Sequence, residues 1–153
     1  MIAMQEPTKT IVELLQNNWN DDCGVAKSTI QFRRGEPLNL LDRFRQREIT
    51  VEVCKLTKPT EQRTISSVKV TEIVAVNVWM IIRPKSDEQI ATLLDKRQVI
   101  EDEIERILLA NNRSATNINF VMLDDTRYMD DYESEPPVLH AVKHVACIYV
   151  KGA

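Results

Sequence analysis

The sequence carries few side chains at the spacing that metal binding or catalysis requires. Its only two histidines, His140 and His144, are four residues apart in a segment whose alternation predicts a β-strand. In a strand they share a face but lie about 13 Å apart, at roughly 3.3 Å per residue, which is too far to chelate one metal ion. We therefore predict two surface or half-buried sheet histidines and no metal site.

A dense group of carboxylates lies between residues 124 and 135, where Arg127 is the only basic residue. Clustered carboxylates can bind Ca²⁺ or Mg²⁺, but this segment lacks the mid-loop glycine of a helix-loop-helix calcium site. Acid–base catalysis would need burial to shift a carboxyl pKa, and the neighbouring tyrosines and prolines indicate exposure. We predict a solvated or partner-facing loop from residue 124 to 137. Its acids are Asp124, Asp125, Asp130, Asp131, Glu133 and Glu135.

Basic residues concentrate elsewhere, between residues 27 and 63, where nine Lys or Arg face five acids. Three interpretations remain open: a solvated surface, contact with an acidic protein surface, and contact with nucleic acid. Because one chain carries both surpluses, the basic face of one subunit can meet the acidic face of the next in a ring. The candidate subunit or partner interface is Arg43, Arg45, Arg47, Lys58, Lys69, Asp124, Asp125, Asp130, Asp131 and Glu133.

Other chemistry has no positive support in the sequence. The three cysteines are far apart and odd in number, which is typical of free thiols in a reducing compartment. Only three glycines are present, and no Gly-rich phosphate loop or nucleophile motif occurs. We predict no enzyme activity, no catalytic residue and no cofactor. No run of about 18 apolar residues occurs, so no membrane span is predicted either.

The elements that would position these residues centre on one strand and one helix. Residues Val74–Ile82 are apolar on both faces, which is typical of a strand inside a sheet. After Pro84, Ser86 and Gln89 form a capping box for a long amphipathic helix that ends near Asn111. A short helix from Thr8 or Thr10 to Asn18 precedes this unit.

The remaining patterns predict strands over residues 28–34, 48–54, 117–123 and 138–150. Residues 38–46 fit a helix or a loop. We predict an α+β domain over residues 8–153: a mostly antiparallel sheet with the long helix across one face, and a projecting hairpin before the central strand. A right-handed crossover could add one parallel pair. Residues 1–7 are predicted to be a flexible arm.

The order of these elements resembles the tail terminator or tail-completion proteins of tailed bacterial and archaeal viruses. The similarity covers residues 8–150 and rests on pattern: the short helix ending at Asn20, the strand and long helix ending in Ile100–Leu108, the acidic loop and the final strand. Such proteins are small α+β subunits that form rings, commonly hexamers. The rings cap the tail tube and join it to the neck beneath the capsid.

The resemblance implies a structural, non-enzymatic virion protein of the head–tail junction, assembled in the host cytoplasm. Its partners would be identical subunits, the tail tube protein and neck or connector proteins. An acidic lumen would repel the phosphate backbone, so DNA would pass through without specific binding. Two alternatives stay open: another virion neck, tube or baseplate adaptor, and a nucleic-acid-binding regulator that uses the basic region Arg33–Arg47.

Overall fold

The computed structural model describes residues 6–35, 48–57, 60–63, 67–111 and 117–152, and it confirms the predicted α+β class. Within these ranges the chain forms two α-helices, two 3-10 turns and a six-stranded sheet. The helices are α1 (Pro7–Asn18) and α2 (Asp87–Ala110), and the 3-10 turns are Asp21–Cys23 and Lys27–Thr29. The strands are β1 (Ile30–Arg34), β2 (Ile49–Lys55), β3 (Thr60–Arg63), β4 (Ser67–Ile81), β5 (Asn119–Tyr128) and β6 (Val138–Gly152).

Strand β4 is central, as its apolar faces predict. The order of the sheet is β1-β2-β4-β6-β5, and β3 pairs with the first part of β4. All described pairs are antiparallel except β1 with β2. The strands on either side of α2 form no parallel pair, because β6 lies between β4 and β5.

Both helices pack on the same face of this sheet. Alternate residues of β4, among them Val74, Val76 and Val78, point to that face and are at most 1% exposed. They form one buried cluster with the apolar stripes of the two helices. The other face of β4 is also buried at Ala75 and Asn77. The prediction that β4 is buried on both faces is therefore confirmed.

Helix α2 begins as its sequence predicts. The Ser86 hydroxyl accepts a hydrogen bond from the Gln89 backbone N–H at 3.1 Å, which satisfies one of the unpaired donors of the first turn. The Gln89 side chain does not complete the capping box. It donates instead to Glu48 Oε1 at 3.0 Å, and so joins the start of α2 to the residue before β2.

Two boundaries near the chain start and in the hairpin differ from the prediction. Helix α1 begins at Pro7, within the predicted arm, because proline fits the first helical turn and the Glu6 carboxylate accepts from the Thr8 N–H at 3.2 Å. The hairpin is formed by β3 and β4, but β6 runs beside the same part of β4. Val70 there is completely buried, so this part of β4 belongs to the core. Residues 1–5 and 38–46 lie outside the described residues.

A buried carboxylate fastens the end of α1 to α2. Glu103 accepts from the Arg106 guanidinium, with 2.8 Å between Nη2 and Oε2, and from the Asn20 backbone N–H at 2.7 Å. Arg106 also donates to the Asn18 carbonyl at 3.0 Å. The Arg106 hydrogen bond, with the Asn20 N–H beside it, lowers the pKa of Glu103 below its usual value.

This latch predicts a pH-dependent effect of Glu103→Gln. A carboxylate whose pKa is lowered by folding stabilises the protein above its unfolded pKa of about 4.3 and loses that contribution as the pH falls through the folded value. We expect Glu103→Gln to cost about 1 kcal/mol at pH 7, since Arg106 is half exposed, and less at pH 3. Urea unfolding at both pH values measures this, with the exposed Asp95→Asn as control. An equal loss at both pH values would contradict the latch.

Candidate interaction surface

The predicted acidic loop is shorter than its sequence indicated. Strand β5 continues to Tyr128, so Asp124 and Asp125 lie within the strand. They occupy a β-bulge, because the register moves from Leu123↔His144 to Arg127↔Val142. Aspartate is depleted in strands, and Asp124 has a positive φ of 51°, which explains why the pattern indicated a loop there.

Lys143 lies opposite this bulge and is 7% exposed. Its ammonium donates to Glu105 Oε1 at 2.7 Å and to Thr126 Oγ1 at 2.8 Å. The bulge and these side chains line a pocket of about 170 Å³ that also contains Asp124, Asp125 and His144. Three carboxylates against one ammonium make the pocket negative, and Asp124 and Asp125 are the exposed pair.

Asp130 has a structural role, in contrast to its predicted place on a solvated loop. Its Oδ1 accepts from Arg97 Nη1 at 2.7 Å and from the His140 backbone N–H at 2.8 Å. The Arg97 guanidinium also lies 4.4 Å from the centre of the Tyr128 ring. The Tyr128 hydroxyl donates to Glu101 at 2.8 Å, and burial together with this bond raises the tyrosine pKa. We call these side chains the α2 clamp: Arg97, Glu101, Tyr128 and Asp130.

Asp131 orders the connection after β5. Its Oδ1 accepts from the backbone N–H groups of Glu133 and Ser134, both at 3.0 Å, which is an Asx turn. Its backbone pairs with Val138 in an antiparallel bridge. Glu133 is exposed at this turn. The connection is therefore held by Asp131 as well as by the α2 clamp.

Large apolar side chains are exposed at the same end of β5. Tyr128 is 50%, Met129 57% and Tyr132 39% exposed. Aromatic residues and methionine are enriched in protein–protein interfaces, and charged residues are depleted at interface centres. We call the combined surface of Asp124, Asp125, Tyr128 and Met129 the β5 edge. It joins exposed acids to exposed apolar side chains on a rigid support.

Most of the predicted basic residues cannot be placed on this surface. Arg43, Arg45, Arg47 and Lys58 lie outside the described residues. Lys69 is exposed on β4.

Two arginines of β1 are described. Arg33 Nε lies 3.5 Å from an oxygen of the completely buried Glu52, so it is engaged within the sheet. Arg34, the last residue of β1, is exposed and lies near the Glu6 carboxylate of its own chain.

Both histidines lie on one face of a strand, as predicted, but His140 is buried and is neither a surface nor a half-buried residue. The buried His140 ring stacks on Trp79 with 3.5 Å between ring centres, and its Nε2 lies 2.8 Å from Asn77 Oδ1. His144 is half-buried. Among the described residues, no group of three or more His, Cys, Asp or Glu could hold a metal ion.

Several buried charges were not predicted from the sequence. Glu72 is 1% exposed, and its Oε1 lies 2.8 Å from Lys55 Nζ. Nearby, burial and the Glu72 carboxylate raise the pKa of Cys147 to about 12, so this thiol stays protonated and unreactive at neutral pH. The alternation of apolar residues along β4 and β6 could have predicted these buried charges. Glu72 and Lys143 both occupy core-facing positions between buried apolar residues.

Comparison with known proteins identifies no family. No protein-family model matches the sequence, and no curated protein matches it at a significant level. Over the part of the chain that the structure describes, none of the helices has the length and apolar character needed to cross a membrane.

Proposed function

We propose that this chain is a structural virion protein that forms a ring at the head–tail junction. The ring caps the tail tube and connects it to neck proteins, and it has no enzymatic role. The sequence resemblance supplies the location in the virion. The protein assembles in the host cytoplasm and functions within the tail or neck.

The β5 edge is the observation that carries the proposal. A binding pocket for a small molecule is usually concave, largely apolar and supplied with a few convergent polar groups. Here Asp124 and Asp125 line only a small, mostly polar pocket, and the exposed Tyr128 and Met129 lie at the end of an outer strand. The α2 clamp holds Tyr128 in place through Glu101 and Arg97. Such a surface suits a protein partner.

The negative net charge of the chain favours a ring through which DNA passes rather than a protein that binds DNA. The net charge is −3, and α2 presents exposed acids to its outer side, including Asp87, Glu88 and Asp95. A negative ring wall repels the phosphate backbone, so DNA slides through the lumen. The basic region Arg33–Arg47 would favour a nucleic-acid-binding regulator only if it retained DNA in a salt-dependent manner.

Size-exclusion chromatography with light scattering tests the proposal on the full chain. We expect a single assembly whose mass is a fixed multiple of the 17.6 kDa subunit. Filter retention of duplex DNA, measured at low and physiological salt, is the companion measurement. A monomer at every concentration that retains DNA strongly at low salt would refute the ring and support the regulator.

A further inference from the structure

We propose that neighbouring copies of this chain meet edge to edge, with β1 of one subunit beside β5 of the next. In this contact the exposed Arg34 faces Asp124 and Asp125 of the neighbour. The inference rests on the proposed function, because it requires identical subunits arranged head to tail in a ring. It names the contact that closes the ring, and three features of the sheet support it.

The first feature is the direction of the two outer strands. Among the strands that the structure describes, β1 and β5 lie at opposite ends of the sheet order. Between β1 and β5 the sheet has one parallel pair, β1 with β2, and three antiparallel pairs. The two outer strands therefore run in opposite directions. Rotation about an axis parallel to the strands leaves their directions unchanged. The β1 strand of one subunit therefore meets the neighbour's β5 in the antiparallel sense, which is the commoner one in sheets.

The second feature is the level of the charges along the strands. Arg34 lies opposite Val53, Val53 opposite Val76, and Val76 opposite Lys143, which faces the bulge at Asp124 and Asp125. The arginine and the two acids therefore occupy one transverse row at opposite edges of the sheet. The same rotation keeps each row at its level. In a ring whose axis runs along the strands, Arg34 therefore lies at the level of the neighbour's acids.

The third feature lies two rows away, beyond the row that Arg33 shares with Arg127 through Glu52, Asn77 and Val142. Phe32 shares its row with Tyr128, through Val51, Val78 and Ala141.

Beside β1, between Phe32, the end of α1 and the 3-10 turns, lies an open depression of about 800 Å³. The half-exposed Tyr128 and Met129 of the neighbour are at the level of this depression. The lining of the depression is mostly polar, and Phe32 is its partly exposed apolar side chain, so the neighbour's Tyr128 and Met129 would cover Phe32 there.

The interrupted edge of β5 limits the length of the ladder that this contact can form. A heterologous contact closes when the rotation between subunits divides a full turn. The three-residue bulge interrupts β5 at Asp124–Thr126, so the regular ladder of that edge is short and twisted. Specificity then comes from the charge row and the filled depression.

Disulfide capture between different variants tests the contact. Arg34→Cys and Asp125→Cys are made separately in a Cys23→Ser background, since Cys54 and Cys147 are buried. Each full-length variant is oxidised alone and after mixing, and products are resolved on a non-reducing gel. We expect a cross-linked dimer from the mixture and monomers from each variant alone, because the contact joins two different edges. Thermal unfolding of each variant confirms that it folds.

The outcomes separate this contact from the ring itself. Rings with no cross-link in the mixture would overturn the edge contact and leave the proposed function standing. Cross-linking of either variant alone would indicate a two-fold contact and overturn it as well. Absence of any assembly in the unmodified chain would overturn both.

Charge reversal gives an independent measurement of the same contact. Arg34→Glu places like charges across the row, and we expect the concentration for half-assembly to rise by about tenfold or more. Adding Asp125→Arg to the same chain should recover most of that loss. Lys9→Glu, at an exposed position of α1, is the matched control and should leave assembly unchanged. An equal effect of Lys9→Glu and Arg34→Glu would contradict a specific contact.

Discussion

Replacing Ile104 by alanine is expected to lower the free energy of unfolding by about 2–5 kcal/mol. Ile104 is completely buried on α2, within the cluster that joins both helices to the sheet. The substitution removes apolar atoms from this core and leaves a cavity that the packed sheet can only partly close. Urea unfolding followed by tryptophan fluorescence measures the loss, because Trp19 and Trp79 report on opposite faces of the sheet.

Leu109→Ala is the matched control on the same helix. Leu109 is 57% exposed, so its truncation should change stability by no more than about 0.5 kcal/mol. Equal losses from the two variants would mean that α2 does not pack on the sheet through the stripe that contains Ile104.

Replacing Arg97 by methionine is expected to cost about 3 kcal/mol, because breaking a buried ion pair leaves a charge without its partner. The Arg97 side chain is 10% and the Asp130 side chain 16% exposed. Without Arg97, the Asp130 carboxylate keeps only the His140 N–H, and Tyr128 loses the cation over its ring. Urea unfolding gives the loss, and hydrogen exchange of residues 128–134 shows where the structure opens.

A second substitution identifies the cause of that loss. Asp130→Asn in the Arg97→Met background removes the unpaired charge and keeps an acceptor for the His140 N–H, so part of the stability should return. Arg127→Met, at an exposed position of β5, is the control and should be nearly neutral. Unchanged hydrogen exchange after β5 in Arg97→Met would contradict the role assigned to the α2 clamp.

The parts of the fold that the sequence predicts well are those set by local periodicity. The apolar faces of β4 and the stripe of α2 each follow one period over many residues, and Ser86 caps the helix where the pattern places it. Such signals do not depend on which element lies next to which. The α+β class and the central position of β4 follow from them.

The features that the sequence does not predict depend on distant partners. From the sequence alone, Asp130 is assigned to a solvated loop. Its structural role follows from its contact with Arg97, which is 33 residues away in the chain. Strand β5 extends through Asp124 and Asp125 because its pairing with β6 resumes at Arg127, after the bulge. The same dependence hides the buried Glu72 and Lys143, whose partners come from β2 and α2.

The candidate surface was predicted in part for the same reason. Composition alone separates an acidic segment from a basic one, and Asp124 and Asp125 are exposed acids in both the prediction and the structure. Composition does not separate acids that face a partner from Asp130 and Asp131, whose carboxylates hold the connection after β5. It also gives no reason to select Arg34, whose row in the sheet exists only once the strands are paired.

Negative-stain electron microscopy of the full-length protein, alone and mixed with tail tubes, is the most direct test of a ring at the head–tail junction. We expect rings of one diameter and additional density at one end of each tube. Isolated subunits, together with tube ends that carry no added density, would contradict it.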